Sequence, residues 1–431
     1  MNTTKTVCLL NDSFPPLIDG VANVVMNYAA HLEEDSYAPM VITPQHPQAD
    51  DSPFPYPVLR YPSIDLREKT GYLAGVPFSP ELASRLEGEQ VALLHSHCPI
   101  VSTLLARQLR QIVDAPLVLT YHTKFDIDIA NVLRSRALQE GSKRALLENI
   151  NACDEVWTVS RGAGENLRQL GYTGEYVVMP NGVDMPRMRV TDEEIAAVTA
   201  GYDLPTGVPV YLFVGRIMWY KGLRIILDAL ARLQNAGKDF RMIFVGQGGD
   251  FEAVTQYARE LGLGNRCIFT GAVQDRQRLR AWYCRADLFL FPSTFDTNGL
   301  VVREAAASSL PAVLVRGSCA AEDVTDGVNG FLIEENAESL FRLLLELEDH
   351  PDLPPTVGQN AARQLYLSWQ DAVGLAMDRY AVVMDRYRRG EYHPRRKPME
   401  YFLKANGELM EDLGHLVRLR DTLRQHRRER G

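Results

Sequence analysis

Short apolar runs alternate along the chain with longer segments in which apolar residues recur at helical spacing. Six runs in the first half have the length and composition of buried strands: residues 6–10, 40–43, 91–95, 117–121, 156–159 and 176–179. Five runs in the second half share these features: residues 208–214, 242–245, 267–270, 288–291 and 312–315. Helical periodicity occupies the intervals, for example over residues 223–234, 251–261 and 276–285. This alternation predicts parallel sheets with helices on both faces.

The two series of strands are separated by a stretch that we interpret as a linker with a short helix. Residues 185–207 contain Pro186, an acidic Thr-Asp-Glu-Glu helix start and a Leu-Pro-Thr-Gly turn. A chain of 431 residues also exceeds one ordinary hydrophobic core. We therefore predict an α/β fold with two Rossmann-like doubly wound domains, residues 1–185 and 186–365, which face each other across a cleft. Ligands bind such sheets beyond the carboxyl ends of the strands.

Composition narrows the class of protein. A hydrophobic content of 46% and a charged content of 23% are typical of a soluble globular chain, and a net charge of −9 argues against a general nucleic-acid binder. The six cysteines show no CxxC spacing, which favours reduced thiols over a disulfide framework or a zinc site. The N-terminal apolar run is too short for a signal peptide, and no 18-residue apolar stretch is present. We expect a cytoplasmic protein.

The segment 291–304 carries the most informative candidate chemistry. A strand runs into a loop with Asp296, Gly299 leads into a helix, and Glu304 lies in the first turns of that helix. Backbone N–H groups at such a turn can hold phosphate oxygens, and carboxylates accept hydrogen bonds from sugar and ribose hydroxyls. An acidic helix start that complements the helix dipole is the alternative, and the segment alone does not decide between the two.

A second candidate loop follows the first strand of the second half. Arg216 and Lys221 flank a short turn that glycines bracket and that opens into a helix. Two fixed cations beside a helix N-terminus would neutralise a pyrophosphate, whereas surface salt bridges are the alternative. Two further candidate strands also end in glycine-containing loops, at residues 244–249 and at Gly271-Ala-Val273. These loops are weaker evidence for a site, and a flat base could rest against the backbone of the second one.

The first half offers a glycine loop and three histidines. Gly20 follows the first strand just before a helix, where a glycine lets backbone approach an anion. His95, His97 and His122 lie at the ends of two neighbouring strands, so we predict that they face the cleft, with His122 as a substrate contact. A single histidine is more often structural, and no carboxylate at helical spacing supports a metal site here.

Taken together, these residues resemble the retaining nucleotide-sugar glycosyltransferases of the GT-B fold, specifically glycosyltransferase family 4. The resemblance spans residues 5–385 and rests on six segments: Ile18-Asp-Gly20, His95-Ser-His97, Tyr121-His-Thr123, Pro180-Asn-Gly-Val-Asp184, Val214-Gly-Arg216 with Lys221-Gly222, and Glu322 to Gly330. The chain departs from the family at three places. The first of two paired glutamates is Asp296, the glycine that usually precedes Phe-Gly is missing from an Asp-Thr-Asn-Gly loop, and a Gly-Gly pair has become Asp19-Gly20.

The resemblance implies roles for the candidate residues. Arg216 and Lys221 would bind the diphosphate together with the backbone of Gly299 and Leu300, and Glu304 would bind the ribose. Asp296 would bind sugar hydroxyls, and His122 would face the transferred sugar. Gly20, Val273 and Asn298 complete the predicted donor-binding set, while His122, Asp296, Arg216 and Lys221 form the predicted catalytic set. Because protein cations replace a metal, no cofactor and no divalent ion are expected. Transfer should retain the anomeric configuration.

The acceptor is less sharply defined. The Tyr-His-Thr neighbourhood looks like that of glycolipid synthases that glucosylate diacylglycerol, with Lys124 and residues 125–129 near the acceptor. A polysaccharide sugar or a small polar alcohol is the alternative, and UDP is favoured over GDP by its frequency in the family. A nucleotide-sugar epimerase would need acid–base carboxylates, for which Asp126 and Asp128 are the nearest candidates. A non-catalytic sugar-nucleotide-binding protein is compatible with Asp296.

The C-terminal region separates into two predicted parts. Residues 366–385 should form a helix that crosses back to the first domain, as in the family. Residues 386–431 form a basic helical tail with 13 Lys/Arg against 7 Asp/Glu, and apolar residues recur in it at helical spacing: Met399, Phe402, Leu409, Leu413, Leu416 and Leu423. Three interpretations stay open. The tail forms a homodimeric coiled coil, contacts anionic lipid at the inner membrane face, or packs on its own chain.

Overall fold

The computed structural model describes residues 5–32, 37–65, 73–123, 125, 135–392 and 398–428. Its contacts divide the chain into two compact units, Met1–Pro180 with Trp369–Gly431, and Asn181–Ser368. Lys124, Asp126 and Asp128, which the sequence places near an acceptor or in an epimerase, lie outside the described residues.

The first unit is built on a parallel sheet with the strand order β3-β2-β1-β6-β7-β8-β9. Its strands, with a small antiparallel β4-β5 pair beside them, are β1 (Lys5–Leu10), β2 (Tyr37–Pro44), β3 (Val58–Tyr61), β4 (Ser63–Asp65), β5 (Leu73–Gly75), β6 (Val91–Ser96), β7 (Leu117–Tyr121), β8 (Glu155–Thr158) and β9 (Val177–Val178). The described helices of this unit are α1 (Gly20–Leu32), α2 (Pro80–Leu86), α3 (Val101–Val113), α4 (Arg136–Asn151), α5 (Arg161–Gln169), α13 (Trp369–Arg388) and α14 (Pro398–Arg428). The central strands read as continuous apolar runs because a parallel sheet is covered on both faces.

The second unit repeats this design. Its parallel sheet has the strand order β12-β11-β10-β13-β14-β15, with β10 (Val210–Val214), β11 (Arg241–Val245), β12 (Cys267–Gly271), β13 (Leu288–Phe291), β14 (Ala312–Val315) and β15 (Phe331–Ile333). The described helices are α6 (Asp192–Thr199), α7 (Leu223–Asn235), α8 (Phe251–Glu260), α9 (Arg276–Arg285), α10 (Leu300–Ala307), α11 (Ala337–Asp349) and α12 (Leu353–Gln364). The predicted α/β class with two doubly wound parallel sheets is therefore confirmed.

Two differences from the sequence expectation have simple physical causes. The predicted linker contributes to the second unit, because Val190, Ile195 and Val198 lie in its hydrophobic core and a Thr191–Glu194 capping box starts α6. The contacts accordingly divide the chain after Pro180 rather than after residue 185. The sequence also gave no sign of β3, β4, β5 and β15, which have three or four residues each. Such strands are too short for a two-residue periodicity to stand out.

The tail helix α14 packs on its own unit, against α2 and α3. Leu403 and Met410 are buried, and Gly407 brings the helix so close to α3 that an added Cβ would lie 3.1 Å from the Gln108 carbonyl oxygen. The opposite face leaves Phe402, Leu409 and Leu416 about half exposed. The interpretation of a tail packed on its own chain is thus borne out for one face. The basic residues 393–397 and the side chains of Met399 and Leu423 lie outside the description.

No described helix has both the length and the apolar character needed to cross a membrane.

Candidate functional site

The loops that follow β10, β11 and β12 are joined edge to edge at the carboxyl end of the second sheet. The N–H of Gly215 donates to the Val245 carbonyl at 3.0 Å, and the N–H of Gly246 donates to the Gly271 carbonyl at 2.9 Å. Gly246 has a φ of +149°, and a Cβ there would lie 1.8 Å from the Gly215 carbonyl oxygen. Glycine is therefore required at position 246 for the loops to approach each other.

Substitution of Gly246 by alanine is expected to destabilise the second unit by about 3 kcal/mol or more, because the new methyl group overlaps a backbone oxygen and the φ value is unfavourable. For a unit of this size the melting temperature should fall by about 10 °C, as measured by calorimetry. Gly249→Ala is the control in the same loop, since its nearest neighbour would be the Met218 sulfur at an ordinary 3.7 Å. Equal melting temperatures for the two variants would contradict the packing described.

The start of α7 is fixed against the end of β13. A short 3₁₀ turn, Trp219–Lys221, leads into Gly222, which adopts the left-handed conformation with a φ of +77°. A Cβ on Gly222 would lie 2.2 Å from the Pro292 carbonyl oxygen. Among the described residues, no side chain caps the N-terminus of α7. Glycine thus brings Lys221 beside the loop after β13 and leaves the first amides of the helix without a side-chain acceptor.

Lys221 and Asp296 form the central pair of the site. The Lys221 ammonium lies 2.6 Å from Asp296 Oδ1, and the Ser293 hydroxyl donates to Asp296 Oδ2 at 2.5 Å. The lysine side chain is 9% exposed and the aspartate side chain 22%. The aromatic rings of Tyr220, Phe291 and Phe295 lie within 6 Å of the ammonium group. The structure therefore brings together two residues that the sequence predicted separately, and it adds Ser293 and the three rings, which sequence analysis missed.

The start of α10 is also left open. Gly299 adopts the left-handed conformation with a φ of +58°, and no side chain in the described part of the chain caps the helix. A Cβ on Gly299 would lie 2.9 Å from the Ala320 Cβ, so a larger residue would push α10 away. The Asn298 Nδ2 is buried and has no hydrogen-bond partner among the described residues. Free amides of Leu300 and its neighbours together with the Asn298 amide form a ready site for an anion.

Glu304 is held farther along α10 by two donors that sequence analysis missed. Tyr283 donates its hydroxyl to one carboxylate oxygen at 2.9 Å, and Arg276 donates to the other at 3.1 Å. Burial raises the pKa of Glu304, and the interactions with Arg276 and Tyr283 oppose that shift. Arg276 also lies 3.9 Å from Asp184, the last residue of the Pro-Asn-Gly-Val-Asp segment. A carboxylate that is already oriented in this way can accept hydrogen bonds from a vicinal diol without reorganisation.

Two other predicted donor-binding residues lie at the edge of this region. Arg216 is exposed in the loop after β10, and the described part of the chain gives its guanidinium no ion pair or hydrogen bond. Val273 follows β12 and is half-buried against the core of the second unit. Arg216 is thus an uncompensated cation on the same loop as Lys221.

The three histidines of the first unit are buried, which corrects the prediction that they face an open cleft. His95, His97 and His122 are 0%, 1% and 6% exposed. The hydroxyl of Tyr380, on α13, lies 2.5 Å from His95 Nδ1, and the Thr120 hydroxyl lies 2.7 Å from His95 Nε2. Because α13 covers the strand ends, sequence position alone could not show their burial. The predicted contact between His122 and a transferred sugar stays a prediction.

Burial also keeps these histidines neutral. His97 Nδ1 lies 3.0 Å from His122 Nε2 with the two rings stacked, and His97 Nε2 has no partner among the described residues. Burial lowers the pKa of His122 to about 3, and burial with the neighbouring imidazoles holds the pKa values of His95 and His97 well below their ordinary range. The cluster is a neutral hydrogen-bonded group rather than a set of cations.

The predicted approach of an anion to Gly20 stays a prediction. An added Cβ at Gly20 would meet no described protein atom within 4 Å, so the packing of the described residues does not itself require glycine there. Asp19 caps α1 instead: its Oδ1 accepts from the N–H groups of Val21 and Ala22 at 2.9 and 2.8 Å. The first amides of α1 are therefore already occupied by a carboxylate of the same chain. An aspartate just before a helix is a common cap signal, and it was available in the sequence.

Among the described residues, no group of three or more His, Cys, Asp or Glu side chains is arranged to hold a metal ion.

Comparison with known proteins assigns the chain to a family. Residues 197–364 match the family described as Glycosyl transferases group 1, and residues 18–187 match Glycosyltransferase Family 4. The alpha-monoglucosyldiacylglycerol synthase of Acholeplasma laidlawii is 24% identical over 366 residues, which cover 82% of this chain and 90% of the relative. The D-inositol 3-phosphate glycosyltransferase of Nocardia farcinica is 31% identical over 273 residues, which cover 60% of this chain and 59% of that relative.

A solved structure agrees at the level of the fold. The crystal structure of Anabaena Alr3699/HepE in complex with UDP superposes with a TM-score of 0.70 at 19% identity, over 88% of this chain and all of the other. Together, the two family matches and the shared fold show that the chain belongs to the group 1 glycosyl transferases of glycosyltransferase family 4 and is a glycosyltransferase of the GT-B type.

Proposed function

We propose that the chain transfers a hexose from a UDP-sugar to the hydroxyl group of a glycerolipid acceptor, with retention of the anomeric configuration. The observation that carries this proposal is the Lys221–Asp296 pair, which lies between the uncapped N-termini of α7 and α10. An ammonium group and two helix starts can bind the anionic carrier, and the carboxylate can accept hydrogen bonds from sugar hydroxyls.

The diphosphate is the part of the donor that the second unit is best equipped to hold. Among the described residues, no acceptor competes for the amides at the start of α10, the Asn298 amide or the Arg216 guanidinium. Lys221 is paired with Asp296. Such groups stabilise the charge that develops on a departing diphosphate. Arg216 supplies a planar fork suited to phosphate oxygens, and Lys221 supplies a point charge.

The neighbouring carboxylates would bind the remaining parts of the donor, namely its sugar and its ribose. Asp296 would accept hydrogen bonds from sugar hydroxyls, with Ser293 and Lys221 fixing its orientation. Glu304, oriented by Tyr283 and Arg276, would bind the ribose diol. Val273 would form part of the wall against the base. Gly20 is left out of the proposed donor site, since Asp19 occupies the amides of α1.

The proposed reaction needs no metal ion. Arg216, Lys221 and the helix amides would neutralise the leaving group, which itself would accept the proton from the acceptor hydroxyl as the new glycosidic bond forms. Attack from the face that the diphosphate leaves produces retention. The expected result is full activity in EDTA and an α-linked product from an α-linked donor, as read from the anomeric proton coupling by NMR. Activity that depends on added Mg²⁺ or Mn²⁺, or a β-linked product, would contradict this mechanism.

The proposal of a glycerolipid acceptor rests on the name of a similar protein. The synthase from Acholeplasma laidlawii is named for the product alpha-monoglucosyldiacylglycerol, and it aligns with 82% of this chain. We therefore propose diacylglycerol or a similar lipid as the acceptor class, with the protein acting at a membrane surface. Transfer of radiolabelled glucose from UDP-glucose to diacylglycerol in mixed micelles is the direct assay.

Arg216→Met is expected to raise the Kd for UDP roughly tenfold to a hundredfold, which corresponds to the loss of a charge-assisted hydrogen bond of about 1.5–3 kcal/mol. Because Arg216 is exposed and has no partner among the described residues, the melting temperature should not change. Calorimetric titration with UDP measures the effect.

The matched control is Arg232→Met, which removes an exposed arginine that pairs with Glu338 near the other end of α7. It should bind UDP as the parent protein does. Equal affinities for the Arg216 and Arg232 variants would remove Arg216 from the diphosphate site.

A further inference from the structure

The tail helix α14 follows a seven-residue repeat on the face that packs against its own unit. Leu403 and Met410 are buried there, seven residues apart. Gly407 and Gly414, also seven residues apart, bring the helix close to α3 and α2, and a Cβ on Gly414 would lie 3.0 Å from the Pro80 carbonyl oxygen. This repeat fixes which side of the helix is turned away from its own unit.

The side turned away, which we call the outer face, has the same period. Its members alternate at spacings of three and four residues: Phe402, Ala405, Leu409, Asp412 and Leu416, followed in the sequence by Leu419 and Leu423. Phe402, Leu409 and Leu416 are 60%, 48% and 61% exposed. A spacing of three and four that is kept over about three heptads is the pattern of a coiled-coil seam, whose members pack against a second helix.

Charge on the outer face favours a helix over a lipid surface as its partner. Asp412 lies within the seam and Glu408 lies beside it, and both are exposed. A helix that lies in a membrane interface keeps its charged residues on the polar face, and an anionic bilayer would repel both carboxylates. A coiled coil, by contrast, accommodates a single polar residue in its seam, where that residue selects the register at a cost in stability.

The two halves of α14 carry opposite charge. Residues 398–413 contain four Asp/Glu and one Lys, whereas residues 414–428 contain five Arg and one Asp. One residue of each half is paired within the chain, Glu400 with Arg107 and Arg418 with Glu87, and the difference in sign persists without them. Antiparallel copies would bring the acidic half of each helix against the basic half of the other, while parallel copies would bring like charges together.

We propose that the outer face of α14 is the interface of an antiparallel homodimer, with the tail helix of a second copy as its occupant. A twofold axis perpendicular to the helices produces this pairing, because the same face of each copy then contacts the other. Since α14 packs on its own unit through the opposite face, the first units of the two copies lie on opposite sides of the seam. The pairing does not depend on the proposed transfer reaction.

Sedimentation velocity of the full chain, at micromolar concentration and without lipid, tests the pairing. The parent protein is expected to sediment as a dimer. Leu409→Glu/Leu416→Glu puts carboxylates into the seam and should raise the dimer Kd roughly a hundredfold or more, so that the variant sediments as a monomer. The matched control is Leu375→Glu on α13, since Leu375 is also 48% exposed and lies outside the seam. It should remain a dimer, and circular dichroism checks that both variants are folded.

A second variant tests the orientation and leaves the apolar residues in place. Glu408→Arg/Asp412→Arg makes both halves of the helix basic. In the antiparallel dimer this replaces attraction by repulsion, so the dimer Kd should rise about tenfold at low ionic strength and less at high ionic strength. In a parallel dimer the change would exchange one like-charge contact for another, and the Kd would stay nearly constant.

A monomeric parent protein would overturn the proposal. So would a dimer that Leu409→Glu/Leu416→Glu leaves intact, or one that Leu375→Glu disrupts to the same extent. An unchanged Kd in Glu408→Arg/Asp412→Arg would overturn the antiparallel orientation. Binding of a monomeric parent protein to phosphatidylglycerol vesicles, lost in Leu409→Glu/Leu416→Glu, would assign the outer face to a lipid surface instead.

Discussion

Lys221→Met is expected to lower kcat/KM for glycosyl transfer roughly a thousandfold. Two causes act together: the leaving diphosphate loses a cation, and Asp296 loses the ammonium that lies 2.6 Å from its Oδ1 and fixes its orientation. Methionine has nearly the same length and fits among the aromatic rings of Tyr220, Phe291 and Phe295, so the shape of the site is kept. Steady-state kinetics with UDP-glucose measure the loss.

A second lysine of the same unit provides the control. Lys238 also forms an ion pair, with Glu348, and lies at the amino end of the sheet rather than at its carboxyl end. Lys238→Met should keep nearly full activity. If Lys221→Met retained the activity of Lys238→Met while folding normally, the proposed role of the Lys221–Asp296 pair would be wrong.

The first unit is expected to lose about 4 kcal/mol of unfolding free energy between pH 7.5 and pH 5.5 from its three buried histidines. In the folded protein burial holds the pKa values of His95 and His97 well below the ordinary range and that of His122 at about 3. In the unfolded chain the same groups take up protons below about pH 6.5. The unfolded state therefore binds more protons as the pH falls. Each histidine contributes its full stability above pH 6.5 and loses it progressively towards its folded pKa.

Urea denaturation at several pH values tests this dependence. Trp157 lies 5.0 Å from the His95 ring and reports on the unfolding of the first unit. His97→Phe removes one titrating group and should flatten the dependence by about a third. An unfolding free energy that is constant over this pH range would show that the histidines are not held neutral by the fold.

The fold was largely predictable because the parallel strands are long apolar runs and the helices between them are strongly periodic. Ten of the eleven predicted strand segments coincide with a strand to within two residues at each end, and the eleventh, 40–43, lies inside the longer β2. Two edge strands of the parallel sheets, β3 and β15, were missed, and for β15 the reason is physical. β15 has three residues and follows Gly330 directly, so the local sequence reads as a turn, and only pairing with β14 makes it a strand.

The site was predictable as a set of residues but not as an arrangement. Sequence analysis placed Lys221 at the diphosphate and Asp296 at the sugar, and it could not foresee that the two form an ion pair. Their contact depends on Gly222 lying against the Pro292 carbonyl, which is a tertiary approach between loops 70 residues apart. The burial of the three histidines was not predictable from the sequence either. Their burial depends on Tyr380, which lies 285 positions after His95 in the chain.

The central claim is that the second unit holds the donor by its diphosphate, through Arg216, Lys221 and the open helix starts, without a metal ion. Calorimetric titration with UDP and with uridine, both in EDTA, tests it most directly. The account predicts that UDP binds about a thousandfold more tightly than uridine to the parent protein. It also predicts that this advantage falls to about tenfold or less in the Arg216→Met/Lys221→Met double variant. An advantage that is absent in the parent protein, or that persists in the double variant, would contradict the account.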